Sequence, residues 1–126
     1  MENLVIEPTK SSPAILFDGT TGILDIAGES YPENSYEFYK PILHWLSRFC
    51  YNFREAIVFN CRISYLNTGS TKSMMDILDL FEERHSKGLA VCVNWYCDSD
   101  NDRAIETAEE FKEDVTFPFK IKSLEE

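Results

Sequence analysis

The run Ala56-Ile57-Val58-Phe59-Asn60-Cys61-Arg62-Ile63 constrains the fold most. It is β-rich and almost continuously apolar, and a segment of helical period comes closely after it. Such a strand reads as central in a sheet and covered on both faces. Asn67-Thr68-Gly69-Ser70-Thr71 breaks the run. The helix behind it sets Met74, Ile77, Leu78 and Phe81 against a far side of Asp76, Asp79, Glu82 and Glu83, and Gly88 ends it. Leu89–Tyr96 is then another strand. A strand-helix-strand unit of this kind joins parallel strands by a right-handed crossover.

On the N-terminal side, a short apolar stretch at Leu4–Ile6 precedes two strands, Ala14–Phe17 and Ile23–Ala27, which flank the turn Asp18-Gly19-Thr20-Thr21-Gly22 as a β-hairpin. Tyr31-Pro32-Glu33-Asn34 halts the second strand. Asn34, with Glu37 three residues on, starts a helix running to about Cys50, with Tyr36, Tyr39, Leu43, Leu46 and Cys50 on one stripe and Pro41 as its weak point. After Tyr96, the polar loop Asp98–Asp102 leads to a third helix marked by Ala104, Ile105, Ala108 and Phe111. Phe117-Pro118-Phe119 closes the domain ahead of a charged tail. The order β-β-α-β-α-β-α gives an α/β fold, a single mixed β-sheet with flanking helices. Trp45, Leu46, Ile57, Phe59, Ile77, Phe81, Val91 and Val93 are its expected core. At 126 residues, one domain spanning 1–126 is expected.

Charge removes several classes of function. With 12 Lys and Arg against 22 Asp and Glu, the net charge of −10 repels phosphate backbones and anionic lipid, so neither nucleic acid nor a membrane is an expected partner. No stretch is apolar for long enough to insert in a bilayer, and the opening Met1-Glu2-Asn3 lacks a basic signal region, so a cytoplasmic location is expected. Cys50, Cys61, Cys92 and Cys97 form no C-x-x-C pair, which points to reduced thiols.

Catalysis finds little support. His44 and His85 stand without metal-ligand spacing, and no G-x-S-x-G elbow is present, so neither a catalytic residue nor a metal or other cofactor is expected. Gly69-Ser70-Thr71-Lys72-Ser73 resembles the end of a phosphate-binding loop but lacks its Gly-Lys pair. Asp98, Asp100, Asp102 and Glu109 fall at calcium-loop positions, yet Arg103 stands where the sharp turn needs glycine, so this loop reads as a solvated helix cap. Tyr65-Leu66-Asn67-Thr68-Gly69-Ser70 differs in kind. It joins the central strand to a helix, at the carboxyl end of the sheet where such folds place ligand and regulatory sites. Its hydroxyls lie at a helix N-terminus able to accommodate an added phosphate, with Lys72 as a nearby cation. From spacing alone, the favoured reading is that Thr68 or Ser70 simply caps the helix.

Ser30-Tyr31-Pro32-Glu33-Asn34-Ser35-Tyr36, Tyr65-Leu66-Asn67-Thr68 and Lys72-Ser73-Met74-Met75-Asp76, with Ala108-Glu109-Glu110-Phe111 and Phe117-Pro118-Phe119, resemble the SiaC family of bacterial regulatory phosphoproteins over nearly the whole chain. The resemblance implies a STAS-like fold, as in anti-sigma-factor antagonists, although this loop has Asn67-Thr68 where STAS proteins carry an Asp-Ser pair. It implies a non-enzymatic switch in which Thr68 is phosphorylated by a dedicated, SiaB-like protein kinase and dephosphorylated by a SiaA-like PP2C phosphatase. The unmodified form would bind a SiaD-like diguanylate cyclase and promote cyclic-di-GMP synthesis and biofilm behaviour. Ser70 and Thr71 are then weaker alternative acceptors. Tyr65, Leu66, Asn67, Gly69, Ser70, Thr71 and Lys72, together with Tyr31, Pro32, Glu33 and Asn34, form the expected partner-binding loop. The alternative reading is a STAS-like domain that binds a small-molecule ligand.

Overall fold

The structure is a computed structural model and describes residues 1–124. Its elements are β1 (Leu4–Ile6), β2 (Ala14–Phe17), β3 (Ile23–Ser30), α1 (Ser35–Asn52), β4 (Ile57–Leu66), α2 (Thr68–Ser86), β5 (Val91–Cys97), α3 (Asp102–Glu113) and β6 (Phe119–Ser123). The six strands form one sheet in the order β1-β2-β3-β4-β5-β6. β1 to β3 pair antiparallel, and β3 to β6 pair parallel. This is the mixed sheet with helices that the element order predicts, with a strand added at each edge. β6 occupies part of the expected charged tail, because Phe119 and Ile121 alternate with Lys120 and Lys122 and the chain can pair with β5. The rest of that tail, Glu125 and Glu126, lies outside the described residues.

Strand order equal to chain order has a geometric consequence. Each parallel crossover steps the same way across the sheet, and crossovers share one hand, so their helices must lie on one face. The ring contacts show it. Trp45 of α1 lies 5.6 Å from Phe17, Phe81 of α2 lies 5.2 Å from Phe59, and Phe111 of α3 lies 5.2 Å from Trp95. Phe17, Leu24, Phe59, Val93 and Phe119 are successive cross-strand partners and are all buried.

The expectation that β4 is covered on both faces is therefore corrected. Ile57, Phe59, Cys61 and Ile63 are buried beneath the helices, whereas Arg62 and Ser64 are exposed on the other face, which no helix covers among the described residues. That open face is held by side chains. Asn94 Nδ2 donates to Asn60 Oδ1 at 3.0 Å, Asn60 Nδ2 donates to Asp25 Oδ1 at 2.9 Å, and the Arg62 guanidinium lies over the Tyr96 ring at 4.2 Å. All eight expected core residues are buried.

The hairpin turn forms as its residues dictate. Asp18 Oδ1 accepts from the Thr20 and Thr21 N–H groups at 2.8 and 3.1 Å, bonds that hold its carboxyl below the ordinary carboxylate range. Gly22 closes the turn at φ +79°, where an added Cβ would meet the Ala56 carbonyl oxygen at 2.8 Å.

Candidate functional site

The parallel arrangement brings the carboxyl ends of β3 and β4 together with the N-terminal ends of α1 and α2. A register shift at Gly28/Glu29 pairs Gly28 with Ile63 but Glu29 with Tyr65, leaving Ser64 as the extra residue of a bulge. The bulge re-aims the last two residues of β4. Leu66 packs partly against the core beside Ser30, while Tyr65 is 48% exposed and meets Tyr31 edge-on with ring centroids 6.1 Å apart.

Asn67 then starts α2 as its N-cap. Its Oδ1 accepts from the Ser70 N–H at 2.8 Å, and its own N–H donates to the Ser30 carbonyl at 2.9 Å. The expected capping by Thr68 or Ser70 is thus corrected: the extended residue before the helix holds the cap, and Asn fills that position well. Thr68 becomes the first helical residue, and its side chain is exposed. Gly69 comes next and lets α2 lie close against Ser35 of α1, since a Cβ there would lie 2.8 Å from Ser35 Oγ.

Ser70 is not on the loop surface, contrary to expectation. It is fully buried, its hydroxyl takes part in an internal network, and an enzyme or partner docking on the loop would not reach it. The network has a direction. Ser30 Oγ donates to Ser70 Oγ at 2.7 Å and Ser35 Oγ donates to Asn67 Oδ1 at 3.3 Å. Each hydroxyl has one proton, so Tyr39 must donate to Ser30 at 2.6 Å and Ser70 to Ser35 at 3.4 Å. The chain runs Tyr39, Ser30, Ser70, Ser35, Asn67. Burial pushes the Tyr39 phenol up to about 12, so it remains a donor at neutral pH.

The remaining loop residues fall around this network. Asn67 Nδ2 donates to the Pro32 carbonyl at 3.4 Å, and Asn34 caps α1 as its spacing predicts, accepting from the Glu37 N–H at 3.1 Å. Thr71 Oγ1 donates back to the Asn67 carbonyl at 3.0 Å, which engages it locally, and Glu33 is exposed. Lys72 is 80% exposed and 3.7 Å from Asp76. Ser30, Ser35 and Tyr39 support the site although no sequence signal singles them out for it. Both serines lie inside the Ser30–Tyr36 motif, but Tyr39 reads in sequence only as part of an apolar stripe.

Electrostatically, the positive ends of two helix dipoles converge here. α1 carries Glu37 in its first turn, whereas α2 carries no acidic residue there. An anion at Thr68 would supply the first-turn negative charge that α1 has in Glu37 and α2 lacks. Elsewhere, Asn101 caps α3 by accepting from the Ala104 N–H, Asp98 accepts from the Asp100 N–H, and no cluster able to hold a metal ion occurs among the described residues. No helix among them is long and apolar enough to cross a membrane.

Comparison with known proteins agrees with this architecture. The family model for SiaC family regulatory phosphoproteins matches residues 6–124. A protein of Pseudomonas aeruginosa (strain UCBPP-PA14) is 46% identical over 126 residues, covering 100% of both chains. The structure of SiaC of Pseudomonas aeruginosa superposes with a TM-score of 0.92 at 46% identity, covering 98% of this chain and 99% of that one. A chain in the crystal structure of the diguanylate cyclase SiaD in complex with its activator SiaC, also from Pseudomonas aeruginosa, matches with a TM-score of 0.92 at 47% identity, covering 95% and 98%. With the model matched nearly end to end and the fold shared, the chain belongs to the SiaC family of regulatory phosphoproteins.

Proposed function

We propose that this chain is a non-enzymatic phospho-switch, acting as one regulatory domain over residues 1–126, whose unmodified form binds and activates a diguanylate cyclase. A protein kinase phosphorylates Thr68 and a PP2C-like phosphatase restores it. The observation that carries this reading is the placement of Thr68: an exposed hydroxyl on the first residue of α2, in a first turn free of carboxylates. The relative solved with SiaD, described as that enzyme's activator, supports a cyclase as the output.

The physical consequence of modification is local. A phosphate adds roughly −1.5 to −2 charges, and a helix N-terminus favours an anion by about 0.3–1 kcal/mol, so the domain keeps its fold. Docking is different. A surface that desolvates a neutral hydroxyl must now desolvate a dianion, and about 1.4 kcal/mol of penalty already weakens binding tenfold. Tyr65, with Tyr31 edge-on against it, at the end of β4, and Tyr36, 68% exposed in the first turn of α1, offer aromatic area suited to a protein partner.

The test is intact-mass analysis after kinase treatment, followed by calorimetric binding of both forms to the cyclase. One phosphate on the wild type, none on Thr68→Ala, and at least about tenfold weaker cyclase binding by the phospho-form are expected. Full labelling of Thr68→Ala, or equal affinities of the two forms, would remove the switch.

A further inference from the structure

Where the C-terminal ends of α1 and α2 meet, far from Thr68 along the same helices, a cavity of about 490 Å³ opens. That volume suits a small ligand. Its wall carries Arg48, Arg54, Arg84 and Lys87 against one carboxylate, Glu83. A third of the chain's 12 Lys and Arg thus converge on one opening of a protein whose net charge is −10.

Two of these cations are accounted for internally. The Arg84 guanidinium is buried and donates to the carbonyls of Cys50, Phe53, Glu55 and Ala90, and Lys87 lies 3.3 Å from Glu83. Arg48 and Arg54 are exposed and form no ion pair among the described residues. Helix C-termini would ordinarily repel an anion. Here Arg84 occupies carbonyls at the end of α1 and in the loop beyond it, and its charge offsets theirs. Burial pushes the Cys50 thiol on the same wall up to about 11, so it stays neutral and adds no opposing charge.

We propose that this cavity binds a small multivalent oxyanion, a phosphorylated or polycarboxylate metabolite, held by Arg48 and Arg54 above the Arg84 clamp. Planar guanidinium forks match the paired oxygens of phosphate and carboxylate, and two of them facing one opening discriminate against monovalent ions.

The test titrates inorganic pyrophosphate, citrate and a short polyglutamate peptide calorimetrically into the full chain at fixed ionic strength. Saturable one-site binding of pyrophosphate or citrate is expected, and whichever binds more tightly identifies the ligand as phosphorylated or polycarboxylate. The double variant Arg48→Gln/Arg54→Gln should melt with the wild type and bind about tenfold or more weakly. Glu83→Gln, which removes the one carboxylate on the wall, should tighten binding about threefold and serves as the independent check should the double variant melt early. Three results would each overturn the proposal: no saturable heat up to about 10 mM of either small anion, affinity unmoved by the variants, or polyglutamate binding more tightly than both.

Discussion

The two ends of the α1/α2 pair meet the same requirement, the satisfaction of backbone groups that a helix terminus leaves without partners, by different chemistry. At the N-terminal end the partners are neutral. Asn34 and Asn67 accept from first-turn N–H groups, and a directed chain of hydroxyls from Tyr39 ties β3, α1 and α2 together. At the C-terminal end one buried cation does the equivalent work, with Arg84 reaching carbonyls in α1, in the loop after it and in the α2–β5 connection. The contrast shows where charge can still be added. The first turn of α2 at the neutral end holds no acidic residue and, among the described residues, no ion pair that an added anion would displace, whereas the other end already holds its charge as part of the fold.

Phe59 lies between the two ends, fully buried beneath Phe81 and beside Phe17, so Phe59→Ala is the reference that weakens both alike. A loss of about 3–5 kcal/mol in urea unfolding is expected from lost burial and the residual cavity. Arg84→Met should come next, at about 3–4 kcal/mol, because four carbonyls lose together the buried guanidinium that they share. Its signature is regional: hydrogen exchange should accelerate around residues 50–57 and 84–91 while the first turn of α2 stays protected.

Tyr39→Phe removes only the head of the hydroxyl chain and leaves Ser30 able to donate, so about 1 kcal/mol is expected, with exchange accelerating at the first turns of α1 and α2. Should Tyr39→Phe prove as costly as Arg84→Met, the contrast between the ends fails. The smallest effect belongs to Glu82, whose carboxylate accepts from the Thr116 hydroxyl and N–H and ties α2 to the segment before β6. Those bonds lower its folded pKa below the ordinary 4.5. The stabilisation is therefore complete above the unfolded value and lost as pH falls through the folded one. In exposed surroundings the advantage over Glu82→Gln should be about 0.5 kcal/mol or less at neutral pH, vanishing in acid.

Local patterns carry much of this architecture. The hairpin turn, the Asn34 cap, the Gly88 stop and the core positions are all legible in the sequence, since each depends on residues a few places apart. β6 is hidden because only Phe119 and Ile121 mark its buried side, next to Pro118 and two lysines. The open face of the sheet has a signal that the apolar start of β4 masks: from Phe59 onward the strand alternates apolar with Asn60, Arg62 and Ser64, which is the period of a strand covered on one side. Around Thr68 the position of the loop can be read, but the burial of Ser70 cannot. Its partners Ser30 and Ser35 stand 40 and 35 residues away, and only the bulge at Ser64 and the parallel register bring them together.

The sequential strand order also bears on how the chain acquires its structure. Each strand pairs with the one before it, so no pairing spans more than a single turn or helical crossover of sequence, and the entropy of closing each loop stays small. The β1–β2–β3 meander can form first, and every later strand-and-helix unit then adds to an existing edge, in the order in which the ribosome delivers it. The growing edge is never a long apolar strand left waiting for a distant partner. The outermost strand among the described residues, β6, directs Lys120 and Lys122 away from the helices and so gives that edge a charged border that discourages further strand addition.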